Sequence, residues 1–80
     1  MPQFVIHHHH AAAECPVAFA AWRGYSSPLR HGVTVASCSF GGHELWWTVD
    51  AASEPEALAL LPRYVAERSR AIQVGQVEVP

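Results

Sequence analysis

The sequence predicts an α+β domain in the order strand, helix, strand, strand, helix, strand, with a four-stranded antiparallel sheet and two helices on one face. Three observations lead there. The apolar run Phe4-Val5-Ile6 and the set Leu45, Trp47 and Val49 on one face of a later stretch read as strands. Two helix-start signals, Cys15–Pro16 and Ser53-Glu54-Pro55-Glu56, follow those stretches. A glycine pair, Gly41–Gly42, separates the second strand from the third.

In chain order, Gln3 to His10 reads as the first strand, Phe4, Val5 and Ile6 leading into four histidines. Ala11 to Ala13 is a connector. Pro16 sits where a helix best tolerates proline, and Val17, Ala20 and Ala21 recur at helical spacing with Phe19 and Trp22 widening the stripe. Gly24 and Ser26-Ser27-Pro28 stop that helix. His31 to Phe40 is the second strand and His43 to Asp50 the third, joined by Gly41–Gly42 as a two-residue turn requiring positive φ. Leu45, Trp47 and Val49 share one face of the third strand. Ser53 and Glu56 stand at the reciprocal positions of a capping box. Pro62 interrupts the second helix, and Tyr64 to Arg68 adds a short turn. Ala71 to Val79 is the last strand, where a parity change between Ile72/Val74 and Val77/Val79 predicts a bulge near Gly75. This order is the ferredoxin-like arrangement, a single domain over residues 1–80.

The chain has 80 residues, half of them hydrophobic, with three tryptophans, three phenylalanines and two tyrosines. That composition argues for a packed core in a chain short enough for its margin to be thin. Association into a homodimer would add buried surface, and is expected. The net charge is −2, and five scattered arginines make no basic stripe, so neither nucleic acid nor an anionic membrane is an expected partner. No secretory leader pattern and no bilayer-length apolar run is read, so the expected compartment is the cytoplasm. Cys15 and Cys38 are then expected as free thiols.

The feature that carries chemistry is the run His7, His8, His9, His10. A purification tag sits at a terminus beside glycine or serine, whereas this run continues a strand pattern. Alternation splits it: His8 and His10 share the face of Phe4 and Ile6, and His7 and His9 share the face of Val5. Either pair sets two imidazoles roughly 6–7 Å apart at the backbone, a spacing that can chelate one ion. The first and third strands are read as parallel neighbours. That reading brings His31, Thr48 and Asp50 toward the run, with Glu14 and Cys15 at the same edge, and leaves His43 about 20 Å from His10, able to join the site only if a second subunit brings it there. The expected ligands are therefore His7, His8, His9, His10, His31 and Cys15, with Glu14 and Asp50 as lesser candidates. Imidazole-rich ligation favours nickel or zinc, with copper and iron also open, and a thiolate shifts the preference toward zinc or copper(I). Taken singly, any one histidine is read as a hydrogen-bonded or edge residue, Trp46 and Trp47 as core and dimer surface, and Glu44 and Asp50 as solvated strand-end charges.

The first strand, the segment Phe40-Gly41-Gly42-His43-Glu44-Leu45-Trp46-Trp47 and the segment Leu60 to Arg68 together resemble small bacterial ferredoxin-like proteins of uncharacterised-domain type, some described as nickel-binding. The chain is also similar to the dimeric α+β barrel group, which includes haem-degrading and antibiotic-biosynthesis monooxygenases. The first resemblance implies a metal-binding protein. The second implies a small barrel enzyme acting on an aromatic or planar substrate, although the haem enzymes' functional asparagine has no counterpart in a chain without asparagine. A third reading is an interaction subunit with a pH-responsive histidine surface.

Overall fold

The computed structural model describes residues 1–80 and contains strands β1 (Gln3–His9), β2 (Val35–Ala36), β3 (Glu44–Asp50) and β4 (Ser69–Val74). Short helices α1 (Cys15–Ala20), α2 (Glu54–Leu58) and α3 (Arg63–Ala66) lie between them, with 3-10 turns at Ala12–Glu14 and Cys38–Phe40. The strands form one antiparallel sheet in the order β2-β3-β1-β4, so the chain is an α+β domain. No helix is long and apolar enough to cross a membrane.

Alternation along β1 and β3 works as expected. Phe4, Ile6, Leu45, Trp47, Val49 and, on β4, Ala71 point to one face, where Ala57, Leu61 and Val65 close over them. Full burial of Ile6 is worth about 1.5–3 kcal/mol, which matters in a core this small. Only 14 of 80 residues are buried, and two of those are His8 and His10. The Ser53 hydroxyl caps α2 by accepting from the Glu56 amide at 3.3 Å. The Glu56 carboxylate reaches one residue beyond the usual box and accepts from the Ala52 amide.

The sense of pairing corrects the expected neighbourhood of β1. β1 and β3 are antiparallel, with Gln3 opposite Asp50 and His9 opposite Glu44. β2 and β3 are joined by a chain reversal and oppose each other. A crossover through α1 lets β2 run along β1, so β3 must run against β1. The histidine end of β1 therefore meets the start of β3 and the start of β4, where His8 pairs with Ser69. Asp50 and Thr48, opposite Gln3 and Val5, lie toward the other end of the strand.

Three boundaries also differ. The second strand shrinks from His31–Phe40 to Val35–Ala36, because His31 turns the chain at φ 67° and Cys38–Phe40 coils into a 3-10 turn. Val33 stays exposed outside the strand; a β-branched residue alone does not make a strand without a partner to pair with. The reversal into β3 is longer than two residues. The Ser37 amide donates to the Glu44 carbonyl at 2.9 Å, and only Gly41 of the glycine pair adopts positive φ, at 82°. Gly42 is required for a different reason, since a Cβ there would collide with the Ser37 side chain. Finally, β4 runs from Ser69 and stops at Val74 without the expected bulge or extension to Val79. Val74 is opposite Gln3, the first residue of β1, so the ladder has no further partner. The expected second helix is two pieces, α2 and α3, broken at Pro62.

Candidate metal centre

His8 and His10 enter the core because a strand beginning with inward Phe4 and Ile6 must turn the next even positions inward as well. Each is 1% exposed, so each ring nitrogen needs a partner or carries a cost. The partners fix the tautomers. His8 Nδ1 lies 3.1 Å from the Val65 carbonyl oxygen, which can only accept, so this nitrogen carries the proton. The Ser69 hydroxyl donates to the same carbonyl at 2.6 Å, and its oxygen also faces His8 Nδ1 at 2.9 Å. His8 Nε2 is consequently a bare lone pair, and His10 Nδ1 donates to it at 2.9 Å. One position along, His10 Nε2 is also a bare lone pair, buried and without a partner. Burial is the main cause that lowers the pKa of both rings, with nearby histidines adding to it, and this favours the neutral form that a ligand requires.

Antiparallel pairing sets His43 beside His10. The His10 amide donates to the His43 carbonyl at 3.2 Å, and the two rings are 5.6 Å apart. His43 sits at φ 53°, and its Nδ1 is the chain's other buried ring nitrogen without a partner. Expected at about 20 Å, His43 is instead His10's neighbour.

Cys15 arrives through the 3-10 turn that links β1 to α1. That turn is held by Glu14, whose carboxylate accepts from the Ala11 amide at 2.9 Å, Arg68 Nε at 2.9 Å and the Tyr64 hydroxyl at 3.1 Å. The Arg68 guanidinium also lies 3.7 Å over the Tyr64 ring. The Ala11 amide first, then Arg68 and Tyr64, pull the Glu14 carboxyl down to about 2. Glu14 thus acts as a clamp on the turn, its oxygens already engaged.

One potential ligand atom from each of His10, Cys15 and His43 falls within 4.8 Å of the others. Around a tetrahedral ion, with ligand bonds of about 2.0–2.3 Å, such atoms stand roughly 3.3–3.8 Å apart. Side-chain rotations closing roughly 1 Å would complete that geometry.

The other candidates from the sequence are placed elsewhere. His7 points to the outer face, bonded to Glu44 at 2.8 Å and stacked on Trp46 at 5.3 Å. His9 is exposed, and His8 is engaged in orienting His10. His31 is exposed on the loop before β2 and lines a cleft with Phe19 and Trp22. Both cysteines are free and half-buried. Of the expected set, His10 and Cys15 come together, joined by His43 from outside it.

Comparison with family models, curated proteins and solved structures finds no match for this chain. The functional reading rests on the site itself.

Proposed function

We propose that this protein is a ferredoxin-like domain that binds one transition-metal ion through His10, Cys15 and His43. The observation that carries this reading is the pair of buried ring nitrogens without hydrogen-bond partners, His10 Nε2 and His43 Nδ1, in a three-residue ligand group with Cys15. Buried polar atoms normally find partners, and a bound cation would satisfy both at once. Two imidazoles and one thiolate suit zinc best, with copper(I) next. Three protein ligands leave a fourth position for water or a small ligand. The same reading includes a homodimer through the outer sheet face, where Val35 and Ile72 are exposed beside half-buried Trp46.

The test uses protein purified without a metal column, stripped with chelator and dialysed separately against zinc, nickel, copper and iron. The expected result is one zinc per chain, lost in His10→Ala and in His43→Ala, with cobalt substitution giving a thiolate charge-transfer band that Cys15→Ser removes. Stoichiometric uptake that survives those changes but is lost in His7→Ala/His9→Ala would move the site to the outer face. Absence of stoichiometric uptake of any of the four metals would end the proposal.

A further inference from the structure

Beside the His10 site lies a second concavity that metal binding does not use. Phe19, Trp22, Leu45 and Trp47 form its apolar walls, and His31 and Thr34 supply its polar atoms, around a volume of about 190 Å³. The same four apolar residues also wall a small pocket that includes His8 and His10, so cleft and core histidines adjoin. We propose that this cleft binds a small planar aromatic molecule of one ring or two fused rings, carrying one hydrogen-bonding substituent.

The aromatic character follows from the walls. Trp22 and Trp47 stand 5.9 Å apart and tilted by 44°, and Phe19 meets His10 edge-on at 6.1 Å. Tilted and edge-on rings favour a flat guest, which can offer its own face or edge to each. An aliphatic guest of equal size fills the space without those contacts. The volume is well below that of pockets for drug-sized ligands, which limits the guest to a ring or two. For the substituent, the Thr34 hydroxyl donates to the Trp46 carbonyl and keeps its oxygen lone pairs free to accept. The His31 ring offers a donor or an acceptor according to its tautomer. His31 is also one of only two non-glycine residues at positive φ, a backbone state that clusters at ligand clamps.

This proposal stands apart from the metal reading, so the test is run on chelator-stripped and on zinc-supplemented protein. Uniformly ¹⁵N-labelled protein is titrated with indole while the three tryptophan indole N–H signals are followed, that of Trp46 being assigned with Trp46→Phe. Trp46 stacks on His7 on the outer sheet face and serves as an internal control. The expected result in both preparations is a saturable shift of the Trp22 and Trp47 signals with Trp46 unmoved. Cyclohexanol should bind about tenfold more weakly, and Phe19→Ala, at a half-exposed position, should weaken indole about fivefold. No saturable shift up to the solubility of indole, equal movement of all three signals, or equal affinity for cyclohexanol would each overturn the proposal. Loss of zinc uptake with the indole shifts intact would count against the metal site alone.

Discussion

Replacing His8 with leucine tests whether the hydrogen-bond chain behind His10 sets the metal site. His8 touches no proposed ion, yet its Nε2 is the acceptor for His10 Nδ1 in a chain that begins at the Val65 carbonyl. Without that acceptor, His10 has two options. It can keep its tautomer and bury an unsatisfied N–H, at about 1–3 kcal/mol. Otherwise it can move the proton to Nε2, which removes the lone pair that faces the ligand group. Losing the partner behind a metal-bound histidine typically weakens affinity by roughly 10–100-fold, or about 1.4–2.7 kcal/mol. The two estimates overlap, so His8→Leu should weaken zinc binding by about one to two orders of magnitude. His8→Gln is the control, because its amide oxygen reaches the place of the lost Nε2 and can accept from His10 again. The assay is competition for zinc against a chromophoric chelator at pH 7.5, with circular dichroism confirming that both variants are folded. A folded His8→Leu protein with wild-type zinc affinity would refute the tautomer argument.

Three further outcomes follow from the same groups. Burial lowers the pKa of His8 and His10 below the ordinary 6.5, so the unfolded chain binds more protons than the folded one as pH drops. Metal-free protein should therefore be stable above pH 6.5 and lose stability below it, by up to about 1.4 kcal/mol per pH unit for each proton; urea unfolding that is unchanged between pH 7.5 and 5 would contradict this. Glu14 is held at about 2 against 4.5 when free, so its stabilising effect is present above pH 4.5 and lost as pH falls toward 2. Glu14→Gln should accordingly be less stable than the parent at pH 7, with the gap closing in acid; a gap independent of pH would show that the clamp is not ionic. His43→Gly removes a non-glycine residue from φ 53° together with a buried nitrogen that has no partner. It should stabilise the metal-free chain by about 1 kcal/mol while abolishing zinc binding, as read by thermal unfolding and dialysis. Loss of both properties together would make His43 structural.

The local pattern of the chain carried a good part of this. Period-two alternation was sufficient to place β1 and β3 and to show that His8 and His10, not His7 and His9, accompany Phe4 and Ile6. Side-chain direction along a strand is a property of neighbouring residues, so the sequence holds it. Ser53 as cap and Pro62 as break were legible for the same reason. The extent of β2 and β4 was not, since a strand ends where its partner ends, as Val74 does opposite Gln3. The identity of the site lay beyond local pattern as well. His43 stands 33 positions from His10, and the ring nitrogens left without partners are known only once every hydrogen bond around them is placed. The histidine run determined that imidazoles would reach the core. Tertiary structure decided, through the antiparallel sense of β1 and β3, that His43 joins His10 and Cys15 there, because strand direction is set by the path of the whole chain.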